Sequence, residues 1–288
     1  MTTENNPFAL ACMQSGEAVE KRIRVGVEVV ESQVAQFRRL MGKVESRWKA
    51  DRSRVTEADL AISRQVEARI LEAFPQDQFF SEETQAADAP YDIVSEYVWV
   101  IDPVDGTNNF ALGMPTCAIS LGLLRNGYPL YGIIYDASRD VLMRGGKGWG
   151  SWDGPFAMAP SNRTGESEFY MACDGLSSDR IFNYLSCLRG AGIKFRNYGS
   201  GALHLAYLAN GLLDGSISCR VSIWDIAAAY AFCQAVGAEF HFMDDSVFPM
   251  TRFDLRAPRI NYYAGTPAFC RKVERMWKKA HKGAVGAN

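Results

Sequence analysis

The 288-residue chain is poor in imidazole. It has three histidines, His204, His241 and His281, which lie far apart and form no H-x-x-x-H pattern. That spacing argues against zinc or another transition metal bound by imidazoles, so any metal is expected to be a hard cation held by oxygen. The seven cysteines (Cys12, Cys117, Cys173, Cys187, Cys219, Cys233, Cys270) are odd in number and include no C-x-x-C pair. Free, mostly buried thiols in a reducing compartment fit this better than disulfides or a thiolate zinc site. Basic excess is also missing: 31 Lys+Arg stand against 33 Asp+Glu, a net charge of -2. Such a balance gives no field for general binding to nucleic acid. No apolar run reaches the roughly 18 residues of a membrane span. Met1 to Ala11 lacks a basic region followed by an apolar run, so a cytoplasmic location is expected and a secretory signal is not. Neither a P-loop nor a G-x-G-x-x-G after a strand is present, and there is no internal repeat.

What remains is ordinary globular material, 48% hydrophobic and 22% charged. Its length suggests two units of about 150 residues each. Residues of about 16 to 48 carry helical spacing in Val25, Val29, Val30, Val34, Phe37 and Met41. A second helix is expected after Thr56, whose Thr56-Glu57-Ala58-Asp59 is close to a capping box, and Phe74-Pro75 ends it. Gln78 to Phe80 reads as a short strand, 85 to 96 as loop, and Tyr97 to Ile101 as a strand covered on both faces that stops at Asp102-Pro103. Strands at 117–124 and 130–135 flank the turn signal Asn126-Gly127, and Val141 to Met143 is a third candidate. The Gly-rich stretch 145–154 closes a first half, 1–154, and 155–168 reads as a linker into a second half, 155–288. There, strands near 169–173, 194–197 and 215–219 alternate with helices near 179–190, 202–210 and 226–236, which indicates an α/β layered architecture.

Acids mark the candidate site: Asp59, Glu82 with Glu83, Asp102 with Asp105, and Asp225. The strongest segment is Asp102-Pro103-Val104-Asp105-Gly106-Thr107-Asn108-Asn109. An apolar strand delivers Asp102 at its carboxyl end, where open α/β sheets place ligands. Pro103 turns the chain, Asp105 comes back towards Asp102, and Gly106 allows close backbone approach. Gly106 and Thr107 would open a helical turn whose N–H groups suit a phosphate. Paired carboxylates repel unless a cation or proton lies between them, and a phosphate adds to the conflict. Magnesium resolves both, because it takes oxygen ligands and bridges carboxylates to phosphates. The other reading of the octet is a strand-to-helix turn with capping aspartates.

The octet resembles the D-P-(I/V/L)-D-G-(T/S) signature of the inositol monophosphatase family of magnesium-dependent, lithium-sensitive phosphatases. Val55 to Asp59, with Lys49 upstream, is similar to that family's V-T-x-x-D segment, and Phe79 to Thr84 to its F-x-G-E-E-(S/T) segment. Asn126-Gly127 and Gly146-Lys147-Gly148 fit its central hairpins, Gly199 to Leu203 its G-S-x-A-L turn, and Trp224 to Ala228 its W-D-x-A-(A/G) signature. The resemblance covers roughly residues 45 to 240 and implies an αβαβα sandwich of the inositol monophosphatase or sugar phosphatase type. It also implies a phosphomonoester hydrolase that uses two or three Mg2+ ions on a small phosphorylated substrate, and a homodimer. Glu82, Asp102 and the Val104 carbonyl would hold one ion, and Asp102, Asp105 and Asp225 a second. Glu82 would also support a third. Asp59 with Thr107 would orient and deprotonate the attacking water, with Asp59, Thr107 and Glu82 as the catalytic set. Asp105, Gly106, Thr107 and Gly201 would face the phosphate and substrate, with Ser218 and Arg220 also expected among the substrate-binding residues. Glu83 is as readily a solvated neighbour as a site residue.

Departures bear on the substrate. Ser81 replaces the family's glycine before Glu82, and His204 stands where Asp is common; a lone helix histidine reads as structural. Seven residues before Asp225, where family members acting on inositol phosphates carry a Glu, this chain has Ser218, with Arg220 nearby. The missing hydroxyl acceptor and the added cation leave room for a nucleotide 3'(2'),5'-bisphosphate or fructose 1,6-bisphosphate. Asp244-Asp245 reads as a polar turn. A haloacid-dehalogenase mechanism is excluded, because its D-x-D-G-T spacing is D-x-x-D here. A catalytically inactive phosphate-binding scaffold is the non-enzyme alternative.

Overall fold

The computed structural model describes residues 7–44, 46–48, 54–83, 89–163, 168–174, 186 and 188–285. Lys49, Thr84, Cys187 and most of the helix expected at 179–190 lie outside these residues, as does the side chain of Cys12. Helix α1 (Pro7–Leu40) is followed by β1 (Ser46–Trp48) and β2 (Arg54–Thr56), which pair antiparallel, and then by α2 (Glu57–Ala73). A mixed seven-stranded sheet follows. It is built from β3 (Gln78–Ser81), β5 (Tyr97–Asp105), β6 (Ala118–Arg125), β7 (Tyr128–Asp136), β8 (Val141–Gly146), β9 (Gly150–Asp153) and β10 (Phe156–Ala157). Its order is β10-β9-β8-β7-β6-β5-β3, all antiparallel except β3 beside β5. The short β4 (Tyr91–Asp92) pairs with β15 (Arg252–Phe253), and α3 (Thr107–Leu112) follows β5.

The second sheet has the order β12-β11-β13-β16-β14. Its strands are β11 (Phe169–Cys173), β12 (Ile193–Arg196), β13 (Gly215–Val221), β14 (Glu239–Phe242) and β16 (Ile260–Gly265). Between the sheets lie α4 (Gly201–Ala209) and α5 (Ile223–Ala235), and α6 (Pro267–Val285) covers the far side.

Alternation along β5 shows how the layers form. Trp99 and Ile101 pack with Val29, Val30 and Phe37 of α1 and with Ile62 and Val66 of α2. Val98 and Val100 face the other way, into a cluster with Leu203 and Leu205 of α4, Ile226 and Phe232 of α5, and Tyr262 of the second sheet. A third cluster, including Met171, Ile217 and Phe269, joins the second sheet to α6. The result is an αβαβα sandwich. Helices α4 and α5 are apolar nearly all round, as helices enclosed by two sheets must be. Gly132 lets α5 lie directly on the sheet, since a Cβ there would meet the Ala228 carbonyl at 2.1 Å.

Several expectations are corrected. Helix α1 begins earlier than residue 16 and ends at Leu40, because Gly42 turns left-handed (φ 70°) and packs its bare Cα against Gly113. The expected strand at 141–143 forms within β8, and the start of the expected linker is taken by β10, which pairs with β9. Helix α5 starts at Ile223, three residues before the expected Ile226, which places Asp225 in its first turn. The loop expected over 85–96 includes β4. The Asn126-Gly127 turn joins β6 to β7 with both residues at positive φ. Cys117, Cys173, Cys219, Cys233 and Cys270 are free and buried, as expected.

Candidate active site

Strand β5 does not stop at Asp102; it runs to Asp105 through a break in register. Asp102 pairs with Ser120 and Asp105 with Ala118, so three steps on β5 match two on β6. In a regular strand, residues three apart point to opposite faces. The extra residue of this bulge turns both carboxylates to one side, towards the middle layer. Asp102 Oδ1 accepts the Val104 N–H at 3.1 Å, and the Thr107 hydroxyl donates to the Val104 carbonyl at 3.0 Å. Gly106 holds φ at 85°, and a Cβ there would meet the carbonyls of Gly199 and Thr116 at 3.0 and 3.1 Å.

Asp59 and Asp225 arrive on helix N-termini, whereas Glu82 and Glu83 lie in the turn just after β3. Asp59 closes the capping box of α2, accepting the Thr56 N–H at 2.8 Å and the Thr56 hydroxyl at 2.5 Å. Asp225 does the same for α5, accepting the Ser222 N–H at 2.7 Å. Asp105 reaches from the first sheet to the start of α4 and accepts from the Ser200 hydroxyl, the Gly201 N–H (3.0 Å) and the Ala202 N–H (2.9 Å). The octet's own helix α3 has Gly106 as its N-cap and no side-chain cap, so its aspartates do not cap the turn they sit in; Asp105 caps α4 instead, and it converges with Asp102 and Asp225. Each cap contributes about 1 kcal/mol, and the positive helix ends offset part of the repulsion among the acids.

Convergence is direct. Carboxylate oxygens of Asp102, Asp105 and Asp225 lie within 4.8 Å of one another, and those of Asp59, Glu82 and Glu83 form a second such group. Burial drives the Asp102 carboxyl well above the ordinary carboxylate range, and the charges of Glu82, Asp105, Asp225 and Asp59 push it the same way. Burial also raises Asp105, opposed by the Ser200 hydroxyl and the α4 amides. Asp225 is pushed up to about 7 by burial and by Asp105, against the Ser222 amide and Arg259. Desolvated like charges at this spacing fit a divalent cation, and an all-oxygen donor set suits a hard one.

Beside the acids lies a cavity of about 420 Å³, lined by Asp105, Asp174, Asn197, Gly201, His204, Arg220 and Asp225, among others. It sits at the carboxyl ends of β11 and β13, and β13 carries its own register break between Ser218 and Val221. Gly201 is needed small, because a Cβ there would stand 3.2 Å from that of Asp225. The expectation that the wall lacks a carboxylate is corrected. Asp174, just past β11, accepts from the Ser218 hydroxyl at 2.5 Å and from the Cys219 N–H at 3.2 Å. Ser218 thus orients a carboxylate in place of carrying one. The signal was its position after a strand of a parallel pair, where ligands gather.

Asn109 was also missed. Its amide donates to the carbonyls of Thr116 and Tyr198, both at 2.7 Å, and so ties α3 to the turn before α4. His204 is buried on α4, and its Nε2 accepts the Tyr198 N–H at 3.1 Å. Burial depresses its pKa to about 4, so the imidazole is neutral. Ser81 has no left-handed backbone, which explains how it replaces a glycine, and its Oγ accepts from Ser63 at 2.7 Å.

Layered sheets with a buried acidic cluster at their shared mouth define a class of phosphomonoester hydrolase, one that acts on small phosphorylated substrates with divalent metal ions. Residues 13–278 match the Inositol monophosphatase family, and the chain belongs to it. It is 31% identical over 202 residues to an inositol-1-monophosphatase of Bacillus subtilis, covering 67% of this chain and 74% of that one. It is 28% identical over 233 residues to human inositol monophosphatase 2, covering 78% of each. Among solved structures, an inositol monophosphatase of Anabaena superposes with a TM-score of 0.72 at 26% identity, covering 91% of this chain and 97% of that one. No described helix is long and apolar enough to cross a membrane.

Proposed function

We propose that the chain is a magnesium-dependent phosphatase of a small polyol or sugar monophosphate. The observation that carries the reading is the convergence of the Asp102, Asp105 and Asp225 carboxylates, of which Asp105 and Asp225 line the cavity. Glu82, Asp102 and the Val104 carbonyl would hold one Mg2+, and Asp102, Asp105 and Asp225 another, with Glu82 supporting a third. When bound, the ions supply charge neutralisation at the phosphoryl oxygens and activation of a water nucleophile. Asp59, held by Thr56, would take up the proton of the attacking water, and Thr107 would orient it. The N–H groups at Gly106 and Thr107 face the phosphate. The two halves, 1–154 and 155–288, act as one catalytic unit, since the cavity takes Asp105 from the first and its remaining wall from the second.

Asp174 bears on specificity. A carboxylate accepts hydroxyl protons and repels a second phosphate, so a polyol monophosphate suits this wall better than a bisphosphate, despite Arg220. The test is phosphate release in Mg2+ from inositol monophosphate, fructose 1,6-bisphosphate, adenosine 3',5'-bisphosphate and p-nitrophenyl phosphate. Inositol monophosphate should be preferred. Asp174→Asn should raise its KM roughly tenfold, as for loss of a charged hydrogen bond, and leave p-nitrophenyl phosphate unaffected. Asp102→Asn should abolish release from every substrate. Preference for either bisphosphate, with Asp174→Asn silent, would overturn the specificity; full activity in Asp102→Asn would overturn the site.

A further inference from the structure

Outside the cavity and the acidic cluster, the edge strand β14 meets the first turns of α6. Along β14, Phe240 and Phe242 turn inward, Phe240 against Tyr230 and Tyr262 and Phe242 against Tyr230 and Phe248. Strand alternation therefore turns Glu239 and His241 to the outer face, where α6 packs. Cys270, fully buried in α6, meets them there. A carboxylate oxygen of Glu239, a ring nitrogen of His241 and the Cys270 Sγ all lie within 4.8 Å of one another. The His241 ring is fixed by stacking on Tyr263 (4.6 Å between centroids, 12° between planes), and its Nε2 stands 3.4 Å from Glu239 Oε2. Tyr263 in turn donates to Glu274 Oε1 at 3.2 Å, one turn further along α6.

Sulfur, nitrogen and oxygen together form a donor set for Zn2+ and its first-row neighbours, not for Mg2+. In a zinc tetrahedron with bonds of about 2.0–2.3 Å, donors stand roughly 3.5 Å apart, so these need close by only about 1 Å. We propose that Glu239, His241 and Cys270 bind Zn2+ or a closely related transition ion, with water completing the coordination, and that the ion clasps the open edge of the second sheet to α6. Binding breaks the Cys270 S–H bond, forms the sulfur–metal bond and releases the proton to solvent. Without the ion the thiol stays protonated, pushed up by burial and by Glu239 and Glu274, with Arg271 opposing. The spacing of His241 and Cys270 in the sequence gives no sign of this; pairing of β14 with β16 and packing of α6 create it.

The reduced, chelator-stripped full chain is titrated with Co2+. The site should give a near-ultraviolet sulfur-to-cobalt charge-transfer band saturating at one equivalent, displaced by Zn2+. Cobalt at the oxygen-only phosphate site cannot produce that band, so Asp102→Asn should retain it. Cys270→Ser should lose it. Cys270 is buried and that variant could misfold, so the partly exposed His241→Gln serves as a second arm and should weaken cobalt binding with circular dichroism unchanged. No charge-transfer band in the folded wild type, or an undiminished band in Cys270→Ser, would show that the trio is only a polar contact beside a thiol.

Discussion

Replacing Asp225 with asparagine in protein stripped of divalent cations tests the electrostatic argument directly. The amide keeps an oxygen to cap the Ser222 N–H and removes one charge. The Asp225 carboxyl rises from an ordinary 3.8 to about 7. At about 1.36 kcal/mol per pH unit, its charged form costs the folded state up to about 4 kcal/mol. The sign follows from proton binding. Between pH ~4 and ~7 the folded chain keeps a proton that the unfolded chain has released, so wild-type stability falls as pH rises through that window. The Asp225→Asn variant has no such proton, and it also relieves the repulsion that Asp225 exerts on Asp102, which adds to its gain at high pH. Urea unfolding followed by circular dichroism should find the two chains alike near pH ~4 and the variant more stable by a few kcal/mol at about pH 8 in chelator. Excess Mg2+ should reverse the order, because a ligand stabilises the state that binds it. The reasoning fails if the variant gains nothing at high pH in chelator, or if Mg2+ leaves wild-type stability unchanged.

Gly106→Ala should lower stability by at least about 1–2 kcal/mol, the cost of a left-handed L-residue, and abolish phosphate release; a thermal melt and the release assay check it. Asn109→Ala should cost about 1–3 kcal/mol, because it strips the amide from two carbonyls, and should reduce kcat as the turn before α4 loosens. His204 has a depressed pKa, so its contribution is present above pH ~6.5 and is lost as pH falls to about 4. Acid titration of stability in His204→Gln should therefore lack a loss of about 3 kcal/mol that the wild type shows.

Local chemistry was legible in the sequence. Thr56 and Asp59 spelled a cap that forms as written, Asn126-Gly127 spelled a hairpin turn, and the alternation of strand and helix patterns in the second half indicated the layered class. Register was not legible. Nothing in the octet announces that β5 continues through Pro103 with a bulge, yet that one extra residue decides which way Asp105 points. The same holds at β13, where the break after Ser218 shapes the cavity wall.

The sequence by itself determined which groups were available: a set of acids, a glycine free to turn left-handed and only three histidines. Tertiary structure alone decided what those groups meet. Asp105 finds the start of α4, Asp174 takes the place expected to be empty at Ser218, and Cys270 meets Glu239 and His241. The physical reason is range. Capping and turn formation act over a few neighbouring residues, whereas desolvation and charge coupling depend on distances that only the packed layers set.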